Sequence, residues 1–98
     1  MTRTEILTEA DRIVNKDRSA THGEPEDNFR TIAELWTAYL RATKHDPEED
    51  GLFAHDIAIM NILQKVSRVA TSPNHPDHWI DIAGYAACGG QCAMKENI

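Results

Sequence analysis

Apolar residues recur every three or four positions in four segments of the chain, and this spacing predicts four amphipathic α-helices. The predicted helices span about 4–17, 25–42, 53–71 and 77–95. The third segment is apolar over a wide face, so we expect it to be the central helix. No segment alternates apolar and polar residues in the way a strand does. The pattern therefore predicts one all-α domain over residues 1–98, a four-helix bundle-like fold.

Polar connections separate the predicted helices. Gly23 and Pro25 interrupt the helical pattern after the first helix, which predicts a structured loop. This loop carries Arg18 and His22, and loops held between rigid helices often supply binding groups. An equally open interpretation is a helix C-cap at Gly23 followed by the start of the next helix. The acidic connection at 44–51 is predicted to be a solvent-exposed turn.

Composition narrows the classes of function. The net charge of −6 provides no basic field for duplex nucleic acid. The sequence has neither an apolar run near the length of a membrane span nor a signal-peptide core, which predicts no membrane partner. Cys88 and Cys92 have no further ligands at zinc spacing, so we expect free thiols and a cytoplasmic protein. A chain of 98 residues is only modestly stable alone, which favours a homo-oligomer, a dimer or larger.

Two carboxylates at the head of the last helix, Asp77 and Asp81, are four residues apart and share one helix face. Asp77 is well placed to cap that helix. Asp81 lies beyond the capping turn, on a face with Gly84 and Tyr85, and is the better candidate for chemistry. Gly84 in mid-helix costs about 1 kcal/mol relative to Ala, and close approach by another helix or a ligand would explain it.

The third predicted helix carries a second set of candidate residues, Asp56, Lys65 and Arg68. Asp56 falls at the edge of the apolar stripe, where a carboxylate is partly buried and needs a partner or a metal. Lys65 points about 180° away from Asp56. A shared site would therefore have to join different protomers, or only one of the two residues takes part.

These pieces occur in an order that resembles a family of small phage and prophage proteins of unassigned function. The corresponding stretches are Arg18–Gly23, Glu26–Phe29, Ile32–Trp36, Asp56 with Lys65 and Arg68, and Asp77–Tyr85. The last of them reads Asp-x-Trp-x-Asp-Ile-Ala-Gly-Tyr and is the most specific.

That family in turn resembles the MazG-like all-α nucleotide pyrophosphohydrolases, in which helices of an oligomer hold magnesium with Glu and Asp side chains. The resemblance implies Mg²⁺ held by Asp56, Asp77 and Asp81, with Asp81, Asp56 and Lys65 as catalytic residues. It further implies nucleotide contacts from Arg18, His22, Gly23, Asn28, Lys65, Arg68 and Tyr85. The Glu-x-x-Glu pair of those enzymes is absent, because Glu34 is followed at the required spacing by Thr37.

Three functions follow as hypotheses. The first is a metal-dependent nucleoside triphosphate pyrophosphohydrolase, in which magnesium polarises a phosphate and activates water. The second is a non-catalytic phage protein that binds or sequesters a nucleotide, with Arg18, Lys65 and Arg68 on its phosphates. The third is a helical protein-interaction module whose acidic residues are caps and surface charges. The three hypotheses predict different results. The enzyme should release pyrophosphate, the binding protein should be thermally stabilised by its ligand without forming product, and the interaction module should do neither.

Overall fold

The computed structural model describes residues 1–16, 25–44 and 46–96, and none of them lies in a β-strand. These residues form the α-helices α1 (Arg3–Lys16), α2 (Pro25–Ala42), α3 (Pro47–Asp50), α4 (Ala54–Thr71) and α5 (Pro76–Lys95). The all-α prediction is confirmed, and each of the four predicted helices begins and ends within one residue of its expected bounds. None of the described helices combines the length and apolar content that crossing a membrane requires.

Helix α3 is a single turn that the periodic pattern did not predict. Asp46 caps it, because its side-chain Oδ1 accepts a hydrogen bond from the backbone N–H of Glu48 at 2.9 Å. Pro47 occupies the first helical position, and Gly51 ends the turn with a positive φ of 71°. The residues of this turn are exposed, as predicted for the acidic connection.

Helix α4 lies between α2 and α5, which confirms its predicted central position. Both neighbours run antiparallel to it. Against α2, the indole Nε1 of Trp36 donates to the backbone carbonyl of Met60 at 2.8 Å. Against α5, the chain returns through the short connection 72–75. Among the described residues α2 and α5 do not contact each other, so the three helices form a layer rather than a closed bundle.

Helices α4 and α5 approach each other closely at Gly89 of α5, which faces Ala58 of α4. A Cβ built on Gly89 would lie well inside contact distance of the Ala58 Cβ. At Gly84, by contrast, an added Cβ meets nothing within 4 Å in this chain. The close approach of helices is therefore at Gly89, five residues after Gly84, the position for which the sequence predicts it.

Helix α1 is capped at its N-terminus, but it contacts none of the other described helices. The hydroxyl of Thr2 accepts from the backbone N–H of Glu5 at 3.1 Å, and the Glu5 carboxylate accepts from the Thr2 N–H at 3.2 Å. Its apolar stripe remains exposed at Ile6, Leu7, Ile13 and Val14. The predicted four-helix bundle is thus not completed by the described residues of one copy, because nothing in them covers this stripe.

Candidate functional site

Most of the candidate functional side chains in the described chain lie at the end of the α4–α5 hairpin. Lys65 and Arg68 lie on the last turns of α4, while His75 precedes α5 and His78 and Asp81 lie on its first turns. Because the helices are antiparallel and joined by a short turn, these five residues come from one region of the fold. We refer to Lys65, Arg68, His75 and His78 as the cationic cluster.

Asp81 forms an ion pair with Lys65 across the two helices. The Lys65 Nζ lies 2.8 Å from the Asp81 Oδ2, and the side chains are 20% and 44% exposed respectively. The hydrogen bond from Lys65 is the largest effect on the pKa of Asp81 and holds it below its usual value. Burial opposes this effect, and the charges of Lys65 and His78 lower the pKa further. Asp81 is therefore ionised at neutral pH and serves as the counter-charge of Lys65. An exposed pair of this kind contributes little to stability.

His78 is buried and stacks on His75, with ring centroids 4.6 Å apart and 24° between the planes. Burial lowers the pKa of His78, and the charges of His75, Lys65 and Arg68 lower it further, whereas Asp81 acts in the opposite direction. The His78 ring is therefore neutral at neutral pH. The same region holds two permanent cations, Lys65 and Arg68, in a chain whose net charge is −6, and Asp81 is the counter-charge of Lys65.

Asp56 lies in a separate network on the other side of α4. Its side chain is completely buried, its Oδ1 accepts from the Tyr39 hydroxyl at 2.6 Å, and its Oδ2 accepts from the Phe53 N–H at 2.8 Å. His55 Nε2 lies 3.5 Å from Asp56 Oδ1, while the Nδ1 of His55 contacts Glu96 at the end of α5. Burial raises the pKa of Tyr39 to about 12, assisted by the Asp56 hydrogen bond and by the charges of Asp56 and Glu96. The predicted burial of Asp56 is confirmed, and its partners are protein groups.

The predicted magnesium ligands do not converge in one copy. Asp81 pairs with Lys65. Lys65 lies nine residues from Asp56, which is about 13 Å along the axis of α4, and it is on the opposite side of that helix. Asp77 is exposed in the first turn of α5, where His75 and not Asp77 is the N-cap residue, so the predicted capping role of Asp77 is wrong. In the part of the chain that the structure describes, no three His, Cys, Asp or Glu side chains are grouped to hold a metal. These residues therefore do not fit a magnesium centre within one subunit, and Mg²⁺ stays a prediction.

The remaining predicted residues are dispersed. Asn28 is half-buried in the first turn of α2. Tyr85 lines an apolar groove of about 220 Å³ between α4 and α5, together with Ile59, Ile62 and Ala86. Arg18, His22 and Gly23 lie outside the described residues. Cys88 and Cys92 are free and exposed, in agreement with the prediction of unpaired thiols.

Sequence reasoning missed His75 and His78. A signal was available, because the two histidines are three residues apart at a predicted helix start and therefore lie on one side of it. Lys65 and Arg68 show the same spacing on the preceding helix. What the spacing did not reveal is that the turn between the helices brings the two pairs together.

The comparisons with known proteins agree with the first resemblance. Residues 5–93 match the family model described as Domain of unknown function (DUF6378). The chain is 41% identical over 92 residues to the Gene 55 protein of Mycobacterium phage L5, covering 94% of this chain and 54% of that protein. It is 37% identical over 83 residues to the Gene 55 protein of Mycobacterium phage D29, covering 85% of this chain and 50% of that protein.

The chain thus spans about half the length of these curated phage relatives. No solved structure matches it. The resemblance to MazG-like enzymes stays a prediction, whereas the resemblance to phage proteins of unassigned function is confirmed. The chain belongs to a phage protein family of unknown function, DUF6378.

Proposed function

We propose that this protein binds a phosphorylated small molecule, of the nucleotide class, through the cationic cluster at the end of the α4–α5 hairpin, without hydrolysing it. The observation that carries the proposal is geometric. The Lys65 Nζ reaches Asp81 on α5 at 2.8 Å, His75 stacks on His78 at 4.6 Å, and the charges of Lys65 and Arg68 are close enough to lower the pKa of His78. In a chain whose net charge is −6, a place that brings two permanent cations and two imidazole rings together is suited to an anionic ligand.

Each member of the cluster offers a different contact to phosphate. The Lys65 ammonium supplies a point charge, and the Arg68 guanidinium supplies a planar fork of donors. The Nδ1 atom of His75 is buried and has no hydrogen-bond partner among the described residues. The first turn of α5, which follows His75, adds the partial positive charge of a helix N-terminus, which the Asp77 carboxylate in the same turn partly offsets. Together these groups provide the donors that a phosphate or diphosphate group accepts.

Asp81 holds Lys65 in place while no ligand is bound. Its carboxylate is ionised and 2.8 Å from the Lys65 Nζ, so it competes with any anion for that ammonium group. Binding of phosphate exchanges one counter-charge of Lys65 for another. In this proposal Asp81 is a positioning residue that limits affinity, whereas a magnesium-dependent hydrolase would need it as a metal ligand.

The nucleotide class comes from the predicted resemblance to MazG-like proteins and not from the geometry, which selects only for phosphate. The hydrolase hypothesis needs converging carboxylates, and the described residues of one copy do not bring Asp56 and Asp81 together. The binding hypothesis needs only the cluster that one copy already holds. For this reason we prefer the second of the three functions that the sequence suggests.

The test is calorimetric titration with a panel of nucleoside triphosphates and with inorganic pyrophosphate, first in EDTA and then with Mg²⁺. We expect binding in EDTA, and Arg68→Gln should weaken it at least about tenfold, because a charge-assisted hydrogen bond is lost. The matched control is Arg30→Gln. Arg30 lies on α2, is highly exposed and pairs only weakly with Asp27 at 3.6 Å, so its loss should leave binding unchanged.

The outcomes separate the hypotheses. Binding without product in the presence of Mg²⁺ supports the proposal. Release of pyrophosphate from any nucleotide would establish a hydrolase and contradict the non-catalytic part of the proposal. If neither a heat signal nor a thermal shift appears with any ligand of the panel, binding itself is disproved and the interaction-module hypothesis gains.

A further inference from the structure

The three-helix layer has one broad side that is apolar and uncovered in a single copy. On α4, Ile59, Ile62 and Val66 follow the spacing of one helix face, and on α5 Ile82, Ala86 and Gly90 do the same. Ile59 and Ile62 line the groove between the two helices with Ala86 and Gly90. We call these six residues the apolar face.

The described chain has no closed core of its own. None of its apolar side chains is fully buried, and the fully buried side chains that it does have, Asp56 and Ser67, are polar. The accessible surface is 7180 Å² for a chain of 11.0 kDa. A folded monomer of this mass exposes about 5,600 Å². The excess of about 1,600 Å² includes surface of α1, which packs on none of the other described helices, and it is within the range that each subunit of an obligate dimer loses on association, about 1,000–2,500 Å².

We propose that a second copy of this chain packs on the apolar face, so that two α4–α5 hairpins form a four-helix bundle. A face that meets an identical copy of itself gives a closed two-fold dimer. Ala86 and Gly90 leave space on α5, and an added Cβ at Gly90 meets nothing within 4 Å in one chain. The larger side chains Ile59, Ile62 and Val66 on α4 supply the volume that fills such a space.

This interface borders the cationic cluster. Arg68 lies about 160° around α4 from Val66, but Lys65 lies about 60° from Ile62, and His78 lies about 40° around α5 from Ile82. Each cluster is built by one subunit, so we expect the dimer to carry two clusters beside the interface. The contacts between the two apolar faces do not include the proposed ligand, so the dimer should form without it.

The test measures molar mass by sedimentation equilibrium over a range of protein concentrations. The natural chain should have twice its 11.0 kDa mass. Val66→Glu should raise the dissociation constant at least about a hundredfold, because each subunit would bury a charge. The matched control is Ile57→Glu on the same helix, nine residues away and thus on the opposite side. The two side chains are similarly exposed, at 39% for Val66 and 45% for Ile57, so both variants are expected to fold.

A second pair of variants excludes simple misfolding. Gly90→Gln and Gly84→Gln both place a good helix former at a position that is open in one chain. Gly90→Gln should weaken the dimer at least about tenfold, whereas Gly84→Gln should leave it intact. A natural chain that stays monomeric overturns the proposal, and so does a Val66→Glu protein that stays dimeric. If Ile57→Glu or Gly84→Gln dissociates the dimer while Val66→Glu and Gly90→Gln do not, the interface lies elsewhere and the proposal is overturned as well.

Discussion

Asp56 shows how a buried carboxyl group is accommodated in a small chain. A completely buried carboxyl group is costly unless its oxygens are hydrogen-bonded, and here one accepts from Tyr39 and the other from the backbone of Phe53. The Tyr39 bond ties the start of α4 to α2, and the Phe53 bond caps the first turn of α4. The carboxylate that the sequence suggested as a metal ligand is thus satisfied by the fold itself.

Removal of the Tyr39 hydroxyl should therefore be costly. We expect Tyr39→Phe to lower the free energy of unfolding by about 1–3 kcal/mol, because a buried acceptor loses its donor. Urea unfolding at fixed protein concentration measures this. The control is Tyr85→Phe, since the Tyr85 side chain lines a groove and makes no described hydrogen bond. Equal stability of the two variants would show that the Tyr39–Asp56 bond is not formed.

His78 should make stability depend on pH. Its pKa in the folded protein is lowered from 6.5, so the unfolded chain takes up the proton first as the pH falls. The free energy of unfolding should decrease as the pH drops below about 6.5, and be constant above it as far as His78 is concerned. Urea unfolding at about pH 7.5 and about pH 5.5 measures the difference, which His78→Gln should reduce. An unchanged difference in His78→Gln would assign the effect to other groups.

At the scale of elements, the four long helices were predictable because each carries one apolar stripe with a helical period. The single turn α3 has four residues and no buried side chain, so no period exists to reveal it. The packing of α1 was not predictable in the same way. Its stripe indicates a covered face but does not say what covers it, and the described residues of one copy leave it exposed.

Two of the three glycines inside α5, Gly84 and Gly89, give a sharp test of the helix packing. Gly89→Ala should lower the free energy of unfolding by about 1–3 kcal/mol, because the new methyl group overlaps Ala58. Gly84→Ala should raise it by up to about 1 kcal/mol, because the site is open and Ala is the better helix former. Thermal or urea unfolding compares them at one protein concentration. The opposite order would mean that α4 and α5 approach each other elsewhere.

The candidate site was predictable in part. Lys65, Arg68 and Asp81 were identified from their positions on predicted helices, and the structure brings them together. Asp56 was grouped with them because a partly buried carboxylate needs a partner, and the sequence does not reveal that Tyr39 provides it from α2. His75 and His78 were overlooked because only the turn between α4 and α5 places them beside the two cations.

At the scale of the whole molecule, the helical layer has two surfaces with separate proposed roles. The apolar face is proposed to pair with a second copy, and the cationic cluster beside it is proposed to bind phosphate. Neither proposal requires the other, so a monomer that binds nucleotide and a dimer that does not are both informative results.

The most direct measurement is the affinity of Asp81→Asn for a nucleoside triphosphate in EDTA, compared with the natural chain. The substitution keeps the shape of the side chain and removes the charge that competes for Lys65. We predict that Asp81→Asn still binds the nucleotide and binds it about two- to fivefold more tightly. The substitution removes one partly exposed negative charge that repels the phosphate groups. Loss of binding in Asp81→Asn would contradict this prediction, and would show that the Asp81 carboxylate contributes directly to the ligand site.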